Sequence, residues 1–340
     1  MDKLRTTNIL LLVIIIPLVF YLLKILSFIF IPLVFSMFIA LLFLPIMRWL
    51  GKKNIPKLVS IFIVVLLIAG GVKIGVELIQ ISSREILNSD TEFFTKAEEK
   101  IQNLFLIAQE TFGFKMDEKE GVFNQFIAKD NIGNTINFIQ RTLTMTLMTI
   151  FFVVLWLAES INIQKVLHST ILKQRHTSLK TFLKIEKDLI KFIKVKFFVS
   201  LATGIGTGLA CLFFDVSFPI FWGLFAFIIN FVQMVGSVIT VVMLSLFAFI
   251  ELDPSSTLAF FIVSITGVQV LFGSILEPIF MGKSFSLNVI TVLVMLMFWG
   301  FLWGVPGLIM AIPITVFIKI ILDQFPDTKV LSDILSGDSK

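Results

Sequence analysis

Cysteine, histidine and tyrosine are almost missing from this chain, with one Cys, two His and one Tyr among 340 residues. The single cysteine, Cys211, cannot close an internal disulfide, and there is no CxxC or other ligand cluster to hold a metal. His168 and His176 fall in one lysine-rich stretch, and no Walker A, GxSxG or HExxH pattern accompanies them. The chain is therefore expected not to be an enzyme and to use no cofactor. Charge is scarce too. Asp, Glu, Lys and Arg make up 15% of the residues against 57% hydrophobic ones, and the mean hydropathy is +0.99. A soluble domain of that composition could not cover its surface with polar groups.

What is there is apolar sequence in long runs. From Asn8 to Met47 the only charge is Lys24. Strands of a membrane barrel would be about ten residues long with alternating polarity, so runs of this length mean helices, whose backbone groups pair within each segment. Ten apolar segments can be drawn: Ile9 to Leu23, Ile25 to Leu44, Leu58 to Gly75, Leu143 to Ala158, Phe197 to Phe214, Pro219 to Val232, Val235 to Ile250, Leu258 to Leu276, Leu287 to Trp303 and Val305 to Leu322. Several are shorter than the roughly 20 residues that an untilted span requires. Lys3 and Arg5 precede the first segment, but no small-residue cleavage site follows. It therefore reads as a span and not as a secretory signal.

Basic residues give an orientation. The loop Arg48 to Lys57 carries Arg48, Lys52, Lys53 and Lys57 with no acid, and Glu159 to Lys196 carries nine Lys/Arg against Glu159, Glu186 and Asp188. Both are expected on the cytoplasmic side, while 77 to 140, with eleven acids against six bases, belongs outside. Net charge is +5, and its clustering beside the spans favours anionic lipid headgroups over nucleic acid as a partner. Phe94, Ala97, Ile101, Leu104, Phe105 and Ala108 mark an amphipathic helix in the outer module. Leu179, Phe182, Leu183, Leu189, Ile190 and Ile193 stripe an inner helix that also carries Lys180, Lys184, Lys187, Lys191 and Lys194. It reads either as a cationic helix lying on lipid or as a solvated connector.

Polar residues inside apolar sequence are the candidate site. Asn230, Gln233 and Gly236 interrupt the run that Pro219 opens, as a re-entrant hairpin at 217-250 or as a tight loop between two full spans. Glu277 ends the segment that begins at Leu258 and precedes Pro278, which points to a helix break there, with Glu277 either in a cavity or at a solvated helix end. Gln269 and Thr266 lie upstream on nearly the same face, as a pore lining or as a hydrogen-bonding seam between helices. Asp215 and Glu159 are the other acids near spans. Gly204 and Gly208 form a small-xxx-small pair suited to close helix packing, Gly300, Gly304, Pro306 and Gly307 suit a tight turn, and Trp49, Trp299 and Trp303 suit an interfacial belt.

From Lys196 onward the chain resembles the autoinducer-2 exporter family of bacterial membrane proteins. The resemblance rests on an ordered set: Gly204, Pro219, Asn230 with Gly236, Gln269 with Glu277 and Pro278, Met281-Gly282-Lys283, then Gly300, Gly304, Pro306-Gly307 and Pro313. Gln233 stands where members usually carry Pro, and Asn288-Val289 where they carry His-Pro. The resemblance implies eight spans plus the re-entrant hairpin, a homo-oligomer such as a pentamer, and export of a small polar signalling molecule. Some relatives look like sodium or potassium/proton antiporters, and an oligomeric membrane scaffold is the non-transport alternative.

The expected architecture is thus an all-α polytopic protein of the bacterial inner membrane with both termini cytoplasmic. Its parts are three membrane helices in 1-76, an outer module at 77-141, a helix at 142-158, the cationic module at 159-196, the C-terminal membrane helices at 197-322 and a tail at 323-340.

Overall fold

The computed structural model describes residues 2–87, 100, 144–159, 176–232, 235–252, 256–282, 287–325 and 328–337. Among these residues the regular structure is all helical, without strands. In chain order the helices are α1 (Asp2–Ile25), α2 (Ser27–Lys52), α3 (Lys57–Leu87), α4 (Thr144–Glu159), α5 (His176–Phe213), α6 (Pro219–Ile229) and α7 (Val235–Glu251). They continue with α8 (Ser256–Met281), α9 (Val289–Trp303), α10 (Val305–Leu322) and α11 (Lys329–Ser336).

Five stretches are long and apolar enough to cross a membrane: Ser27–Lys52, Lys57–Ile86, Leu183–Phe213, Ser256–Met281 and Val305–Leu322. Shorter apolar helices occupy Val13–Ile25, Thr144–Glu159, Pro219–Ile229, Val235–Glu251 and Val289–Trp303, so each apolar run of the sequence has become a helix. Large apolar side chains face outward along them, with Leu58 81%, Phe213 82% and Met297 77% exposed. In water that surface would aggregate; in hydrocarbon it is the expected exterior. The outer amphipathic helix read at 94 to 108 lies outside the described residues apart from Lys100, whose ammonium donates to the carbonyls of Phe249 and Leu252 beside the C-terminus of α7.

The helix α5 is the spine of the molecule. It packs on α2, α6, α8 and α10. Near its middle Leu189, Phe192 and Ile193 join a core shared with α2, α9 and α10, and near its end Ala210 and Cys211 join a second core with Trp222, Leu244 and Phe261. The stripe read as lipid-facing or as part of a solvated connector is partly buried against protein, because a single unbroken helix runs through the boundary drawn between 196 and 197. Its lysine side stays outward: Lys184, Lys187 and Lys191 are exposed.

Close approach along α5 depends on glycine. A methyl group on Gly204 would sit 2.7 Å from the Gly223 carbonyl oxygen, and one on Gly208 3.2 Å from that of Pro219, so α6 lies backbone to backbone on α5. Between α9 and α10 the chain turns at Gly304, φ +64°, and a Cβ on Gly307 would overlap the Trp299 carbonyl oxygen at 1.9 Å. Trp299 and Trp303 line that turn as core residues, 8% and 7% exposed, with the Trp303 indole donating to the Leu23 carbonyl at 3.0 Å. The interfacial belt expected of them is not formed, because the tight turn folds both rings inward; Trp49, 54% exposed, does face outward.

Candidate functional site

The chain places its unusual chemistry where α8 crosses α5. α8 is α-helical over Ser256–Gln269, π-helical over Val270–Leu276 and α-helical again over Glu277–Met281. The break expected at Glu277-Pro278 does not occur. Proline lacks an N–H and its ring presses on the carbonyl four residues back; here the Glu277 N–H reaches the Phe272 carbonyl, five residues back, and the widened turn accommodates Pro278. The helix stops instead at Gly282, φ +81°, whose N–H donates to the Pro278 carbonyl at 2.8 Å.

That continuation buries Glu277, which is 2% exposed. Its carboxylate accepts two hydrogen bonds from Lys196 Nζ, at 2.8 Å and 3.1 Å, and Lys196 is itself 1% exposed. Glu277 is thus neither a solvated helix end nor a lone acid, whereas Asp215 and Glu159 are exposed. Burying two ions costs several kcal/mol each in desolvation, and their attraction offsets this only while both are present. Ionisable side chains at membrane depth are rare and mark ion or substrate pathways.

Lys196 opens a buried polar stripe on α5. Ser200, Thr203 and Thr207 follow at helical spacing, each 0% exposed, between the two apolar cores that the same helix joins. Asn230, at the end of α6 and 4% exposed, donates from Nδ2 to Ser200 Oγ at 3.0 Å. A methyl group on Gly273, in the π-helical segment, would lie 3.3 Å from Ser237 Oγ and 3.9 Å from Asn230 Oδ1. The missing side chain at Gly273 lets the turn between α6 and α7 dock on α8.

Gln269 lies one turn before Gly273 and is 3% exposed, yet neither its Oε1 nor its Nε2 has a hydrogen-bond partner among the described residues. Thr207 Oγ1 is likewise unpaired. Each such group costs about 1–3 kcal/mol. Gln269 therefore makes no hydrogen bond across a helix seam to the described residues. Thr266 is half-buried beside the stripe of Phe261, Ile265 and Gln269 that faces inward. Pro219 starts α6 directly after Phe218, whose φ is +61°. A Cβ on Gly236 would meet the Ile229 carbonyl oxygen at 2.1 Å, so this position tolerates only glycine. Gln233 lies outside the described residues.

Comparison with known proteins gives this geometry a setting. The family model described as AI-2E family transporter matches residues 9–327. The chain belongs to the AI-2E transporter family. A Borreliella burgdorferi protein is 32% identical over 154 residues, 45% of this chain and 42% of that protein, so the match spans less than half of it. A Haemophilus influenzae protein is 23% identical over 304 residues, 88% of this chain and 87% of its own length. Both carry the name "Putative transport protein". The AI-2 transport protein TqsA of Escherichia coli K12 is 30% identical over 154 residues, 44% of this chain and 43% of that protein.

Within this member of the AI-2E transporter family the residue that sequence reasoning missed is Lys196. By position it belongs with the lysines of the 159–196 stretch, although its spacing to Ser200, Thr203 and Thr207 puts it on their face. The departure at Asn288 also has a structural role. Its side chain accepts from the Ile290 N–H at 3.2 Å and caps α9, a task that suits asparagine.

Proposed function

We propose that this multi-pass membrane protein is a permease that exports a small polar molecule, such as the autoinducer-2 signal, along the α5–α8 crossing. The observation that carries the reading is the buried Lys196–Glu277 pair together with the unpaired amide of Gln269, about two helical turns away along α8. A solute rich in hydroxyl groups could satisfy Gln269 and Thr207 and compete for the paired charges. Asn230, Gln233 and Thr266 belong to the same path in this reading. The pair also favours a second reading, a sodium or potassium/proton antiporter, in which a cation or proton displaces Lys196 from Glu277.

In this proposal α6 and α7 form the re-entrant hairpin and the other eight apolar helices are the spans. With 11 residues, α6 is only about 16 Å long, half of a hydrocarbon core. Subunits assemble as a homo-oligomer such as a pentamer in the bacterial inner membrane with both termini cytoplasmic. Single cysteines at Lys119 and Arg175, in a Cys211→Ser background, are expected to label from opposite faces with an impermeant thiol reagent; labelling of both from outside would reverse the topology.

Purified protein in sealed vesicles tests the function. Efflux of the polar signal above the rate of empty vesicles supports the exporter, and cation-driven proton movement without it supports the antiporter. Empty-vesicle rates in both assays count against transport.

A further inference from the structure

A second site lies at the end of α2, away from the α5–α8 crossing. Arg48, Trp49 and Lys52 on its last turns face Glu186 and Lys187 on α5 across an open cleft, with Pro45 and Ile190 also in its wall. Arg48 donates to the Glu186 carboxylate, which fixes both side chains; the lining holds two further cations, Lys52 and Lys187, and no further acid. Lys52, Lys187 and Trp49 are exposed, and Lys53 stands 4.0 Å above the Trp49 ring.

The apolar part of α2 precedes Pro45 and that of α5 follows Ile190, and Ile31 and Phe38 share a core with Leu189, Phe192 and Ile193, so the Arg48–Glu186 contact joins the two basic ends and chain position orders the cleft by depth. Pro45 and Ile190 lie toward the apolar parts of α2 and α5, while Lys52 lies at the basic loop. Positive charge therefore gathers at the water end over an apolar floor, and Trp49 sits at the level between them. A soluble anion would use only the upper half of such a cleft. A lipid with a phosphate head and an acyl tail would use all of it, and basic pockets between membrane helices bind such headgroups.

We propose that this cleft binds one anionic phospholipid, its phosphate between Arg48, Lys52 and Lys187 and an acyl chain running past Pro45 and Ile190. The site is independent of which solute the protein moves. Cations near a membrane surface each favour anionic lipid by about five-fold.

The test uses the full chain in phosphatidylcholine bilayers doped with brominated phosphatidylglycerol or brominated phosphatidylcholine. The Trp49 emission is the difference between wild type and Trp49→Phe. We expect the anionic lipid to quench it at a lower mole fraction than the zwitterionic one. Lys52→Gln and Lys187→Gln, which leave the Arg48–Glu186 pair intact, each reduce that preference by about five-fold. Glu186→Gln strengthens it by removing the one acid. Equal quenching by the two lipids, or a preference unchanged in the Lys52→Gln/Lys187→Gln double variant, overturns the proposal. Loss of the preference on adding glycerol 3-phosphate to the buffer overturns it as well, and reassigns the cleft to a soluble phosphate.

Discussion

Lys196→Met is expected to destabilise the folded protein by about 3–5 kcal/mol, because it leaves the Glu277 carboxylate buried without its partner. Both groups are almost fully enclosed, 1% and 2% exposed, so water cannot take the place of the lost ammonium without opening the α5–α8 contact. Lys196→Met/Glu277→Leu should recover most of the loss, since apolar side chains of similar volume commonly replace a buried ion pair at little cost. The check is a denaturation series on the two single variants and the double variant in detergent. Strongly sub-additive losses support the pairing; losses that simply add would show that the two residues do not interact.

The second large effect has opposite signs in two assays. Gln269→Leu removes two buried polar atoms that have no partner, so it is expected to stabilise the fold by about 1–3 kcal/mol for each group relieved. Transport should fall by about tenfold, the ratio equivalent to one lost hydrogen bond to solute of about 1.4 kcal/mol. A side chain retained for packing alone would give the stability gain with flux unchanged. A loss of stability would mean that Gln269 finds partners in the membrane. Proteins seldom keep buried unsatisfied groups without a role for them, and the combination of a more stable protein with a slower flux identifies that role.

Much of the architecture was legible in the sequence because hydrocarbon imposes a strong and local rule. A run such as Leu258 to Leu276 can satisfy its backbone only as helix, and each of the ten runs did so. The turn at Gly304 was equally local, since a tight reversal beside Pro306 and Gly307 has few sequence solutions. Contacts between distant segments were not legible. Lys196 and Glu277 are 81 residues apart, and nothing near Lys196 distinguishes it from the other lysines of the 159–196 stretch except its register with Ser200. The π-helical turn hid in the same way. A periodicity of 3.6 placed Gln269 and Glu277 near one face and expected Pro278 to end the helix, whereas widened hydrogen bonding from Val270 onward carried the helix through. Their place near segment ends suits Trp299 and Trp303 to the interface, but the sharpness of the following turn folds them into the core.

The central claim of the proposed function is that the buried pair lies on the transport path and that Glu277 exchanges a proton as solute passes. The direct measurement is solute efflux from reconstituted vesicles with and without an imposed pH gradient, comparing wild type with Glu277→Gln. Glutamine keeps the size and an oxygen for Lys196 Nζ but cannot exchange a proton. The account predicts that wild-type flux responds to the gradient and that Glu277→Gln inserts normally yet has lost the response; a Glu277→Gln protein whose flux follows the gradient as wild type does would contradict it.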